Sequence, residues 1–419
     1  MRQFLLTFAS FFILINSAFS QNFQNREDFI ALYDDLYHKI VEKRYKPFTP
    51  FDITRSAVYG DGMSYAMMAD VMMYENTNDE KYLNNFLKSS YHILSLRRDK
   101  NGENESARWS YDPSMYHDGL IMWAYSHFIY KARVENLVDL EKDISDIIEV
   151  DSVFIMDDLV DLYIKEINKV LDYYDSWWYG RKAGIKTIPK RSARPGHFNF
   201  QSAYAATFFY MGMATENEEL LQRAKEMARL YKSVVKDKPR CVSGSPVPPY
   251  KKRDVWEITQ DSCLIWKHWG WRPAKCKNDY NSMTYDDISH GVLVFVFPLT
   301  VKNKLNEDSV FFFTDQDLHY MHNTFTKRIF AGYEDGCPQI NSRMDGGNEI
   351  NFEPKLSGLN NLRARVLAYS FLIECDDKFE NKVSDIVVNY INSDCFPHSG
   401  AGLASMDLMG IANLVRYCE

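Results

Sequence analysis

Helical periodicity runs through most of the sequence, and the helical stretches are of two kinds that alternate along the chain. One kind is amphipathic and charged, over 27–44, 79–97, 150–174, 216–236, 315–331 and 376–393. In 216–236, for example, Leu220, Leu221, Ala224, Met227, Ala228 and Tyr231 form an apolar stripe with Glu, Lys and Arg opposite. The other kind is apolar nearly all round and rich in small residues, over 61–76, 117–131, 200–214, 287–302, 358–374 and 401–417. A helix that is apolar on every side has to be buried on every side. Six such helices and six one-sided ones are satisfied together by a closed ring, the apolar set inside and the charged set around it. The pattern therefore predicts an all-α (α/α)6 toroid, a six-hairpin barrel. It makes one domain of 419 residues that length alone would divide into two or three. The low content of Gly (19) and Pro (14) agrees, since an all-β chain needs more tight turns.

Residues 1–20 stand apart from this pattern. Arg2 supplies a short positive region, Phe4 to Ile15 is almost wholly apolar, and Ala18-Phe-Ser20 is a small-x-small cleavage site. These are the marks of a secretory signal peptide, leaving the toroid to residues 21–419. No Cys follows the site and no later stretch has eighteen uninterrupted apolar residues, so a periplasmic or secreted protein without a membrane span is expected. Seven cysteines suit one or two disulfides, with the pairing open. Cys263, His268 and Cys276 match no zinc spacing, and neither metal nor cofactor is expected.

The inner stretches are entered through polar, Gly-containing loops. These are Tyr59-Gly-Asp-Gly62, Tyr116-His-Asp-Gly119, His197-Phe-Asn199, Tyr285-Asp-Asp-Ile-Ser-His-Gly291, Arg343-Met-Asp-Gly-Gly347 and His398-Ser-Gly-Ala-Gly402. In a ring, the N-terminal ends of the inner helices open on one face, and their positive ends back a single cleft. Asp, Ser and Gly at such points also serve as caps and turn formers. That explanation covers Tyr, His and Asn less well.

Charge is uneven. The chain carries a net −8, which argues against nucleic acid as a partner. Yet Arg181 to Lys277 holds twenty Lys and Arg against eight Asp and Glu. Arg181, Lys182, Lys186, Lys190, Arg191 and Arg194 run without an acid into His197-Phe-Asn199, and Lys251-Lys-Arg253 and Arg272 follow. A solvated loop is one reading; an electropositive wall that attracts a polyanion is the other. Aromatics at 15% suit a large core and a carbohydrate cleft alike.

The run His197-Phe-Asn199-Phe-Gln201-Ser-Ala-Tyr-Ala-Ala-Thr-Phe-Phe-Tyr-Met-Gly212 resembles the central segment of toroidal polysaccharide lyases of the alginate and glucuronan type. There an Asn-His loop opens an inner helix rich in Ala and aromatics; here His precedes Asn. In that family the next inner helix is entered through a catalytic Tyr, a place occupied here by Met283-Thr-Tyr285, with Arg272 the nearest Arg upstream. The resemblance implies β-elimination from a uronate-containing anionic polysaccharide. The C5 proton beside the carboxylate is removed and the C4 oxygen leaves. Donors around the carboxylate stabilise the charge that grows there, and a Tyr near both atoms serves as base, acid or both. Its ordinary pKa of roughly 10 would need neighbouring cations to favour the phenolate. On this reading Tyr285 is the base and acid, Asn199 and His197 hold the carboxylate, and His290 assists. Arg272, Arg194, Arg191, Gln201, His117, Arg343 and Tyr59 bind substrate, and the protein acts as a monomer.

A second resemblance competes. Tyr285-Asp286-Asp287 is similar to the entrance of toroidal α-mannanases, whose adjacent acids act as nucleophile and acid/base. Inverting toroidal hydrolases place acids on separate inner helices, which Asp61 and Asp118 would match. The basic stretch suits an anionic polymer better than a neutral mannan.

Overall fold

The computed structural model describes residues 25–45, 58–100, 106–110, 115–176, 178–180, 186–189, 198–232, 256–266, 288–302, 313–344, 346, 365–378, 382–400 and 403–417. These are mostly helical, with three antiparallel two-stranded hairpins.

The one-sided helices come first in each alternation. Helix α1 (Arg26–Tyr37) starts at a capping box in which Asn25 accepts from the Asp28 N–H at 3.1 Å and Asp28 accepts from the Asn25 N–H at 3.3 Å. Phe29, Leu32, Tyr33, Leu36 and Tyr37 are buried, while Glu27 and Asp35 are exposed. Helix α2 (Ser64–Thr77) follows a π-helical turn at Val58–Met63 and is buried from Ser64 through Val71. Helix α3 (Glu80–Ser95) is capped by Asp79 and again has one buried stripe, through Tyr82, Phe86, Leu87, Ser90 and Ile93. The alternation continues through α4 (Tyr116–Arg133), buried from Asp118 to Ala132 save His127, and α5 (Met156–Asp175), buried on one side only. Next come α6 (Phe198–Ala214), α7 (Glu218–Lys232), α8 (Ile288–Lys302) and α9 (Asp315–Thr324). A 3₁₀ helix (Leu367–Lys378), α10 (Val383–Ile391) and α11 (Ser405–Tyr417) complete the series.

Packing follows the same alternation. The all-round-apolar elements pack in chain order, α2 on α4, α4 on α6, α6 on α8, α8 on the 3₁₀ helix and that helix on α11, and α11 packs back on α2. Each one-sided helix lies on the element before it: α3 on α2, α5 on α4, α7 on α6, α9 on α8, α10 on the 3₁₀ helix, with α1 on α11. The fifth inner stretch, expected over 358–374, is 3₁₀ rather than α where it is described. Its contact with α11 is very close. A Cβ on Gly410 would fall on the Leu367 carbonyl, Ser370 Oγ donates to Gly410 O at 2.9 Å, and Asn413 Nδ2 donates to Ser370 O at 2.8 Å.

Short hairpins decorate the series. Strands β1 (Trp178–Gly180) and β2 (Lys186–Pro189) pair between α5 and α6; β3 (Trp256–Ile258) and β4 (Leu264–Trp266) pair before α8. Strands β5 (Phe330–Glu334) and β6 (Cys337–Ile340) follow α9, and a disulfide ties Cys337 to Cys395 just beyond α10. Cys263 is a free, buried thiol; His268 and Cys276 lie outside the described residues.

The core is rich in tyrosine, and its hydroxyls are used. Tyr33 and Tyr37 donate to the buried Asp70 carboxylate at 3.0 and 3.1 Å, joining α1 to α2. Arg97, with a fully buried side chain, is held by Asp99 at 2.6 and 2.8 Å and by Glu166 of α5. Burial of this kind is tolerated because every charge has a partner.

Candidate functional site

A cavity of about 160 Å³ draws its lining from all six inner elements, with Glu75, Asn76, Lys131, Thr300 and Arg416 among its residues. These stand at the C-terminal ends of α2, α4, α8 and α11. The N-terminal entrances, where the sequence places the chemistry, therefore lie at the other end.

At that end the first two entrances meet. A Cβ on Gly60 would come within 2.6 Å of His117 Cβ, so the glycine lets the Tyr59 turn pack against the start of α4. Tyr59 is buried and His117 is half-buried, its ring tilted against Tyr116 at 5.2 Å. The fourth and fifth entrances also meet: Met344, next to Arg343, packs on Gly291 in the first turn of α8, next to His290. Arg343 itself is half-buried.

Two polar side chains near the start of α6 are buried. Gln201 and Tyr204 are 2% and 1% exposed, yet Gln201 Nε2 and the Tyr204 hydroxyl have no hydrogen-bond partner among the described residues. Positions three apart share a helix face. The Tyr204 ring lies edge-on to Tyr174 and Trp178, and a Cβ on Gly119 would touch it at 2.7 Å. Burial raises its pKa well above the ordinary value, and the negative charge of Asp118 adds to this. Tyr204 is a residue the sequence reading did not single out. Nothing but its place one turn after Gln201 distinguishes it from the other rings of this helix.

The carboxylates at the entrances have a different character. Asp118 is fully buried and accepts from the Trp109 N–H at 3.1 Å, the Ser110 N–H at 2.8 Å and the Tyr174 hydroxyl. Burial raises its pKa, and those donors act in the opposite direction. Asp407, also fully buried, accepts from Arg365 at 2.9 and 3.2 Å and from the Ala404 N–H at 2.7 Å. These bonds fix the 106–110 segment to α4. Asp61 has a described backbone only.

Of the other assigned residues, Asn199 and His290 stand in the first turns of α6 and α8, with side chains not described. Tyr285, His197, Arg272, Arg194 and Arg191 lie outside the described residues, as do Asp286 and Asp287. Within the basic stretch, Arg223 is turned inward. It lies over the Phe208 ring at 4.1 Å and near Asp175 at 3.6 Å, and desolvation lowers its pKa. Arg223 thus belongs to the packing of α7 on α6 and not to a solvent-facing wall.

Among the described residues no group of His, Cys, Asp and Glu has the arrangement of a metal site, and no helix is long and apolar enough to cross a membrane. No family model, curated protein or solved structure matches the chain.

Proposed function

We propose that this chain is a polysaccharide lyase that cleaves a uronate-containing polymer by β-elimination, on an (α/α)6 toroid spanning 21–419. The cyclic packing of six inner elements supports the toroid. The observation that carries the chemical reading is the pair of unpartnered buried groups, Gln201 Nε2 and the Tyr204 hydroxyl. They stand immediately after His197-Phe-Asn199, in the run that resembles the lyases. Leaving a buried donor unmade costs about 1–3 kcal/mol. A substrate carboxylate or hydroxyl would satisfy both. In this reading Gln201 donates to the uronate as its charge grows, beside Asn199 and His197, and Tyr285 moves the proton with His290 assisting. Arg343, His117 and Tyr59 line the remaining entrances, and Arg272, Arg194 and Arg191 draw in the polymer.

The lyase reading is favoured over the separated-acid form of the hydrolase reading by the surroundings of Asp118. Separated acids need a carboxylate free to meet water or the glycosidic oxygen, and Asp118 is committed to three donors. The adjacent pair Asp286 and Asp287 remains its other form. A secreted or periplasmic site is proposed from the leader-like residues 1–20, and a disulfide suits an oxidising compartment.

Two variants separate the classes. Tyr285→Phe should lower kcat on a uronate polymer by about 10²–10⁴-fold with an unchanged melting temperature. Asp287→Asn should leave elimination measurable. Near-full activity in Tyr285→Phe with a dead Asp287→Asn would move the assignment to the hydrolase.

A further inference from the structure

The cavity at the C-terminal ends of the inner helices is remote from the entrances and has no role in the proposed elimination. Its apolar and aromatic lining includes Met68, Met72, Met409, Trp123 and Phe371. Its polar lining includes Glu75, Asn76, His127, Lys131, Asn413 and Arg416. At about 160 Å³ it is far from the size of an oligosaccharide site. A cavity of about 150 Å³ takes a single six-membered ring.

Its polar groups are held in place. Asn76 Nδ2 donates to Ala412 O at 2.9 Å and Asn413 Nδ2 donates to Ser370 O at 2.8 Å. Each amide thereby spends a donor on the backbone of a neighbouring element. Neither Oδ1 accepts a bond from a described residue, and Asn413 is only 2% exposed. Lys131, 4% exposed, lies between Glu75 at 2.5 Å and Glu135 at 2.7 Å, so the buried charge is compensated from within the protein. Arg416 adds a donor to the lining.

Charge and donor pattern decide the ligand. A bare anion would meet the Glu75 carboxylate and two amide carbonyls. A bare cation would meet Lys131 and Arg416. A neutral polyol uses acceptors and donors together, because each hydroxyl is both. Its apolar ring face suits the Trp123 and Phe371 surfaces, as aromatic-lined pockets with a few fixed polar groups suit small molecules generally. We infer that this cavity is a second binding site, for a single neutral pyranose, distinct from the entrance cleft that takes the uronate polymer. The inference stands on the cavity alone and is independent of the lyase assignment.

The methionines supply a local probe. The full chain, labelled at methionine methyl groups, is titrated with glucose, mannose and galactose, and in parallel with glucuronate, glucosamine and glycerol. At least one neutral hexose should give saturable shifts of the Met68, Met72 and Met409 methyl signals, with glucuronate and glucosamine at least tenfold weaker. Glu75→Gln, at a partly exposed position, should weaken the hexose about tenfold by removing a charged acceptor, equivalent to about 1.4 kcal/mol. Met72→Trp, which fills the cavity from its half-buried edge, should abolish the shifts. No saturable shift with any neutral hexose, equal binding of the charged sugars or of glycerol, or an undiminished response in Met72→Trp would each overturn the inference. Wild-type titrations decide the matter even where a variant fails to fold.

Discussion

Asp118 accepts three hydrogen bonds in a fully buried position, so its substitution should act on folding before it acts on chemistry. Asp118→Ala leaves the Trp109 and Ser110 N–H groups without their acceptor, at about 1–3 kcal/mol each. A clear fall in melting temperature is expected; an unchanged melting curve with abolished activity would return Asp118 to the reacting centre. Gln201 and Tyr204 should behave in the opposite way. Tyr204→Phe removes a hydroxyl that has no partner among the described residues, so stability should hold or rise slightly. Activity on the polymer should fall in Tyr204→Phe and in Gln201→Ala, as read from kcat and KM. Full activity in both would leave the two groups without a substrate role. The sequence could name Asp118 and Gln201 because both stand at inner-helix entrances. It could not tell their burial apart, because that depends on Tyr174 and the 106–110 segment, distant in the chain. Tyr204 was hidden for the same reason: in a helix crowded with Tyr and Phe, only the packed structure shows which hydroxyl is left unpaired.

At the scale of elements, the turn that follows α3 is joined to α5 by the buried cluster around Arg97. Glu166 receives Arg97 and lies near Lys169 at 3.1 Å and Lys100 at 3.2 Å. Burial pushes its pKa up, but Lys169 and Arg97 outweigh that, and the net shift is downward. A lowered folded-state pKa stabilises above the unfolded carboxylate value, and the gain is lost as pH falls through the folded value. Glu166→Gln should therefore lower the melting temperature at neutral pH and flatten its decline in acid. An identical acid profile in the variant would contradict this coupling. Removing one member of such a buried pair costs about 3–5 kcal/mol. The disulfide acts on a different pair of elements, closing a 58-residue separation between β6 and the end of α10. A loop of that size corresponds to about 4 kcal/mol in the chain-entropy account. Reduction should lower the melting temperature, and no change on reduction would argue that the pair is not formed in solution. Element types were legible because burial on all sides and burial on one side leave different residue patterns, as α4 and α5 show. The 3₁₀ geometry at Leu367 was not, since Gly410 and its fit against Leu367 belong to a different part of the chain.

Across the whole molecule, the packing order of the described inner elements returns to its start, α11 lying on α2. Polymer binding, if drawn by the basic stretch, should weaken as salt rises, since exposed charges are screened over roughly 8 Å at physiological ionic strength. Charge reversal of Arg191 and Arg194 together should raise KM more than it lowers kcat, and an unchanged KM would make the stretch a solvated loop. Arg223 already shows that not every cation there faces outward, a distinction that net charge alone does not contain. The activity proposed for the entrance face is elimination from a uronate polymer. The deciding experiment incubates the protein with alginate, glucuronan and a neutral mannan while following the ultraviolet absorbance of the unsaturated uronate product. Absorbance should rise on at least one uronate polymer and stay flat on the mannan; no rise on any uronate polymer, with reducing ends released from the mannan, would contradict it.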